Sequence, residues 1–212
     1  MIMNITTLTS VFEAIAAKIA ENKDYLVELD QQNGDGDLGI SMNDGYSAAA
    51  KFLKTCEHTD LGMALNKAAD VFNENAPSSL GTITAFAMKG MARALKGTTD
   101  TDLVTMANAL LAGINNASSK AGSKRGEKTI LDSLYPGAET LLLNADKEVV
   151  EATCLAALAA ADGSEATKNM KAVWGRAAYF AETSIGVLDG GSVVGKLIFE
   201  AIAEWAKANE VA

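Results

Sequence analysis

Leu8, Phe12, Ile15 and Ile19 recur at steps of four, three and four, which places one apolar stripe on a helix over roughly residues 5–22. Leu61, Leu65, Ala68 and Phe72 repeat the pattern, as do Leu103, Met106, Leu110 and Ile114. Tyr46, Ala49 and Leu53 mark a further helix, and the stretches 82–96, 127–143, 146–161, 166–183 and 192–208 read the same way. Strand-like alternation is absent. Pro136 falls inside one apolar run and predicts a kink there or a helix that begins near it. The pattern therefore predicts an all-α chain with residues 1–212 as a single domain. Its architecture is an antiparallel helical bundle or closed barrel of about eight or nine helices. Four connections, 28–41, 75–82, 120–129 and 184–192, are rich in glycine and polar residues. An up-and-down arrangement gathers them at one end, where a rigid scaffold would present a ligand site.

Composition sharpens this picture in a few places. Only 6% of residues are aromatic and two are proline, which suits closely packed helices. A net charge of −9 removes the broad basic surface needed to coat nucleic acid or an anionic membrane. It leaves room for a small anionic ligand, because a metal ion reverses the field locally. Cys56 and Cys154 follow no ligand or disulfide spacing and read as reduced core residues of a cytoplasmic protein. His58 is the sole histidine, so a two-histidine zinc site or histidine relay within the chain is excluded; between two helices it reads as a surface residue. No apolar run approaches the ~20 residues that span a bilayer, and the N-terminus lacks a signal-peptide layout.

The strongest chemical signal is Leu29-Asp30-Gln31-Gln32-Asn33-Gly34-Asp35-Gly36-Asp37-Leu38-Gly39. Three carboxylates in eight residues repel one another and raise their own pKa values unless neutralised. A hard divalent cation removes the conflict, and magnesium favours carboxylate oxygens while keeping positions for water or phosphate. In an extended stretch Asp35 and Asp37 project to one side, and Asp30 approaches from the preceding segment. The glycines permit a sharp turn and close approach of backbone to a phosphate. A solvated acidic turn is the plain alternative. A calcium loop starting at Asn33 fails, because its sixth position is Leu38 rather than glycine and its twelfth is Asp44 rather than glutamate.

This loop resembles the Asp-x-x-x-Gly-Asp-Gly-Asp-x-Gly pattern of dihydroxyacetone kinase nucleotide-binding (DhaL-like) domains. Three later segments resemble that family in the same order. They are Leu80-Gly81-Thr82, Gly126-Glu127-Lys128-Thr129-Ile130-Leu131-Asp132, and Gly175-Arg176-Ala177-Ala178-Tyr179 with Ser184-Ile185-Gly186 and Asp189-Gly190-Gly191. The resemblance covers essentially the whole chain. It implies an antiparallel helical barrel that holds ADP or ATP at one end through two magnesium ions on Asp30, Asp35 and Asp37. It brings the backbone of Leu38, Gly39 and Ser41 and the hydroxyls of Ser78, Ser79 and Thr82 near the phosphates. Gly122 and Ile130 flank the adenine or ribose, Arg176 binds phosphate, and the turn Asp189, Gly190, Gly191 closes the pocket.

Each role has a plainer counterpart. Ser78, Ser79 and Thr82 suit a helix cap, Ile130 suits ordinary core, and Arg176 suits a surface. Lys120, Lys124, Arg125 and Lys128 form the densest basic cluster, a solvated face or one that steers a nucleotide or partner. The chain departs from the family at Leu38, where histidine is frequent, and at Asn75-Ala76-Pro77-Ser78-Ser79, where a glycine-rich segment is usual. The implied function is phosphoryl transfer to a small ketose held by a sugar-binding (DhaK-like) subunit. A phosphotransferase-system subunit (DhaM-like) is the implied donor, an arrangement that a free chain of 212 residues favours. A nucleotide-binding regulatory protein of the same fold and the nucleotide domain of fatty-acid kinase are the alternatives.

Overall fold

The computed structural model describes residues 2–209, and among these it is all-helical apart from one isolated bridge. Nine α-helices follow in chain order: α1 (Ile5–Glu21), α2 (Lys23–Asp30), α3 (Leu38–Lys54), α4 (Leu61–Asn75), α5 (Ser79–Ala94), α6 (Leu103–Ala121), α7 (Leu131–Leu143), α8 (Val149–Ala166) and α9 (Gly190–Ala208). Short polar residues start several of them by binding the first free amides. Asn4 accepts from Thr6 and Thr7, Asp60 from Met63, Ser78 from Gly81, Asp102 from Thr105 and Asp189 from Ser192. At the other end of α6, Gly122 takes the left-handed conformation that ends helices without a Cβ penalty.

Helices α1, α3, α4, α5, α6, α7, α8 and α9 each pack on the next, and α9 returns to α1. The result is a closed ring of eight helices, with short α2 laid against α3 and α9. Small residues set the spacing. A Cβ on Gly90 would fall 2.7 Å from the Cα of Gly113, so α5 and α6 meet backbone to backbone. Pro136 does sit inside α7. Having no N–H, it leaves the carbonyl of Asp132 without its helical donor, and Gly163 of α8 packs directly against that oxygen.

Phe72, Phe199, Met42, Leu61, Leu65 and Ile114 are fully buried inside the ring. The packing leaves an apolar cavity of about 160 Å³ in the core. Thr84 borders it, and its Oγ1 is the one buried side-chain polar atom among the described residues that lacks a partner. An unsatisfied buried hydroxyl costs about 1–3 kcal/mol, so the near-isosteric Thr84→Val is expected to raise the melting temperature by a few degrees in calorimetry.

Two expectations need correction. The segment 166–183 is not a helix: α8 stops at Ala166, and short 3₁₀ turns follow at Thr167–Asn169, Arg176–Tyr179 and Ala181–Ser184. Gly175 breaks the run with φ +68°, while Trp174, Tyr179 and Phe180 face outward. Helix α2 was not expected; only Leu26 and Leu29 of its eight residues are buried. No helix among the described residues is long and apolar enough to cross a membrane.

Candidate functional site

The four polar connections do meet at one end of the ring. They enclose a cavity of about 650 Å³, whose lining draws on each of them: Asp30, Asp35 and Asp37 from the first, Ser78 and Thr82 from the second, Lys128 to Ile130 from the third, and Asp189 to Gly191 from the fourth. A fifth stretch, Trp174 to Ala177, completes the wall.

The acidic loop folds around Asp30, the last residue of α2. Gly36, at φ +77°, donates its amide to Asp30 Oδ2 at 2.7 Å. A Cβ on Gly34 would fall 2.3 Å from Asp30 Oδ1, so only glycine leaves the carboxylate its place. One carboxylate oxygen each from Asp30, Asp35 and Asp37 lies within 4.8 Å of the others. Asp37 stands at the N-cap of α3 yet makes no side-chain cap bond, so its oxygens remain available to the cavity. Loss of solvent holds its carboxyl above the usual range, with Asp35 and Asp30 adding repulsion and Arg176 opposing them. A hard oxygen donor set this compact suits magnesium.

Across the cavity lies the N-terminus of α5, whose free amides and dipole favour an anion. Ser78 caps that helix through a 3.0 Å bond from the Gly81 amide and shares a 2.7 Å bond with Ser41. The capping reading of Ser78 thus holds while the residue also lines the cavity, together with Ser79 and Thr82. Arg176 reaches the acidic loop and pairs with Asp35 at 2.6 Å. Ile130, 3% exposed, is both core and cavity wall.

Asp189 caps α9 through a 2.6 Å bond from the Ser192 amide. Burial pushes its carboxyl up to about 7; the Ser192 amide and Lys128 pull it back, while Asp132 and Asp30 add to the rise. Leu38, Gly190 and Gly191 line the cavity beside it. Three expected residues do not line it. Gly39 is buried against the α2 backbone, Ser41 reaches only Ser78, and Gly122 ends α6.

Of the basic cluster, Lys120, Lys124 and Arg125 are exposed, and only Lys128 leaves the solvated face. Lys128 is 4% exposed, and Arg125 pairs with Glu139 at 2.9 Å under the ring of Tyr135. Trp174 is a wall residue that sequence reasoning missed, since nothing local marks an outward aromatic in a loop as part of a site. His58 lies in the α3–α4 connection, at the opposite end of the ring from the acidic loop.

The site is thus the end cavity of a closed helical ring, with three carboxylates set opposite a helix N-terminus. Residues 32–204 match the DAK2 domain model, and the chain belongs to the DAK2 domain family. It is 31% identical over 188 residues to the PEP-dependent dihydroxyacetone kinase 1, ADP-binding subunit DhaL, of Listeria innocua, spanning 88% of this chain and 89% of that one. It is 30% identical to the PTS-dependent dihydroxyacetone kinase, ADP-binding subunit DhaL, of Lactococcus lactis, covering 88% and 90%. The triokinase/FMN cyclase of Rattus norvegicus is 28% identical over 93% of this chain but only 34% of its own length. The dihydroxyacetone kinase of C. freundii in complex with AMP-PNP and Mg2+ superposes with a TM-score of 0.75 at 21% identity, over 92% of this chain and 33% of that one. That likeness shows the same fold, and the expected all-α helical barrel holds.

Proposed function

We propose that this chain is the nucleotide-carrying subunit of a dihydroxyacetone-type kinase, a cytoplasmic phosphotransferase component that binds ADP or ATP with two magnesium ions. The observation that carries this is the meeting of three carboxylates within 4.8 Å on the wall of a 650 Å³ cavity. The other family-like segments build the remaining walls. Four relatives matched over most of their own length are ADP-binding subunits, which supports the nucleotide-carrying role.

Phosphoryl transfer asks for charge neutralisation and in-line positioning rather than a protein nucleophile. Magnesium, when bound, supplies the neutralisation, and Asp30, Asp35 and Asp37 are the residues that hold it. The N-terminus of α5 at Ser78, Ser79 and Thr82 orients phosphate oxygens, and Arg176 offers a planar fork suited to them. Ile130 gives an apolar surface to the base or ribose, and the Asp189–Gly191 turn closes the far side. The ketose comes from a sugar-binding (DhaK-like) partner that docks over the open mouth. A phosphotransferase-system (DhaM-like) subunit restores ATP in place.

Thermal melts test this reading. ADP with magnesium at a hundredfold excess over its dissociation constant stabilises the folded state by about 3 kcal/mol, roughly 6–10 °C for a chain of this size. EDTA is expected to abolish the shift, and calcium alone to give less than the full effect. Full stabilisation by calcium without nucleotide would point to a structural metal instead, and a flat response to every addition would leave only an acidic turn.

A further inference from the structure

Residues 167–189 leave the helical ring and return to it, and the part between Trp174 and Ala177 forms one wall of the end cavity. Its long-range internal ties include the Gly186 amide on the Lys168 carbonyl at 2.7 Å, the Ala172 amide on Ser184 Oγ at 3.0 Å, the Asp189 amide on Thr167 Oγ1 at 3.1 Å and the exposed Lys171–Glu182 pair at 2.6 Å. Two adjacent residues outside the loop, ahead of α7, tether it to the ring.

Lys128 has φ +62°, the one non-glycine left-handed conformation among the described residues. That backbone turn sends its side chain inward. Its Nζ donates to the carbonyls of Val187 at 2.6 Å, Thr167 at 2.7 Å and Ser184 at 2.8 Å. Three acceptors at this range use the three protons of an ammonium, and the Met170 carbonyl stands further off at 3.3 Å. These four carbonyls come from both ends of the loop, so a single cation closes its base. Without that cation the converging oxygens repel one another and lack donors in a dry site.

Glu127 grips the same loop nearer its tip. Its Oε2 accepts from Trp174 Nε1 at 2.5 Å and from the Lys124 amide at 2.8 Å, while its backbone carbonyl accepts the Val173 amide at 3.4 Å. Two residues later in the loop, Arg176 reaches Asp35.

We propose that Glu127 and Lys128 form a clamp that holds the 167–187 loop against the ring, and that through it they position Trp174 and Arg176 on the nucleotide. Both are positioning residues, and the proposal rests on the nucleotide reading of the end cavity. The acidic loop hangs from α2 and α3, outside the clamped segment. The clamp therefore acts on nucleotide affinity and leaves the cation site's own affinity intact. Releasing Arg176 from Asp35 can only favour a cation there.

The test uses the full chain and the variants Lys128→Met, Glu127→Ala, Arg176→Ala and Lys128→Met/Arg176→Ala. Four quantities are followed: helical content by circular dichroism, trypsin cleavage after Lys171 and Arg176, affinity for manganese alone, and affinity for ADP with magnesium. Lys128→Met is expected to keep its helices, to be cut faster in the loop and to bind ADP about tenfold more weakly. Its manganese affinity should be equal to wild type or tighter. The double variant should bind ADP no more weakly than its weaker parent, because both substitutions remove the same contact.

Wild-type ADP affinity and cleavage in a folded Lys128→Met protein would overturn the proposal. A parallel loss of manganese and ADP affinity would also overturn it, since that is the mark of general destabilisation. Should Lys128→Met fail to fold, Glu127→Ala decides, with faster cleavage and weaker ADP binding expected and no change in either as the contrary result. If the wild-type chain binds no ADP, the nucleotide reading itself fails. The cleavage rates then still show whether these two residues hold the loop.

Discussion

Exchanging Asp35 or Asp37 for alanine is expected to abolish magnesium-dependent ADP binding without lowering the stability of the ligand-free protein. Substitutions in the outer shell of a metal centre already cost about 10–100-fold in affinity, so loss of a direct ligand should exceed ~100-fold. The fold has little to lose at these positions. Asp35 sits in the connection between α2 and α3, and Asp37 caps no amide despite its place ahead of α3. The carboxyl of Asp37 is raised above its unfolded value, chiefly by loss of solvent and then by Asp35 and Asp30. Such a group binds its proton more tightly in the native state, so its penalty is absent at low pH. The penalty grows as pH rises through the carboxylate range and is complete above the raised pKa. At neutral pH Asp37→Ala removes it, and the ligand-free variant should melt at or above the wild-type temperature. Calorimetric titration of ADP with magnesium, paired with a melt, reads both halves. Unchanged affinity in both variants would contradict the metal assignment.

The second large expected effect is a complete dependence of turnover on a partner. Purified chain with ATP, magnesium and dihydroxyacetone is expected to form no ketose phosphate above background. Addition of a sugar-binding subunit is expected to start turnover. Many polar groups of the end cavity already have partners: Asp30 with the Gly36 amide, Asp35 with Arg176, Ser78 and Asp189 with helix amides, and Lys128 with backbone carbonyls. The sole histidine, His58, lies at the other end of the ring. Robust turnover by the chain alone would require a self-contained kinase.

The sequence made most of the ring legible because apolar positions at three- and four-residue steps face one core, as in α1, α4 and α6. Periodicity failed where that link breaks. Helix α2 is too short to show a stripe, and its two buried leucines lie three residues apart. The 166–183 segment carries apolar residues that mimic a helix, yet Trp174, Tyr179 and Phe180 are exposed in a loop. The correct number of helices therefore arose from one segment wrongly included and one omitted.

The acidic loop was readable because its chemistry is local, three carboxylates and three glycines in one short stretch. The role of Lys128 was not, because its acceptors are 39 to 59 residues away in sequence. In the chain it stands beside Lys120, Lys124 and Arg125 and looks like one more surface cation. Gly39 and Gly122 lie outside the cavity lining, Gly39 packed against α2 and Gly122 ending α6.

A crystal structure of the chain grown with ADP and manganese, read by anomalous scattering at the manganese edge, addresses the central claim most directly. The expected result is manganese bound by Asp30, Asp35 and Asp37, with the ADP phosphates between those ions and the N-terminus of α5. Manganese away from these three carboxylates, or ADP outside the cavity they border, would contradict the account.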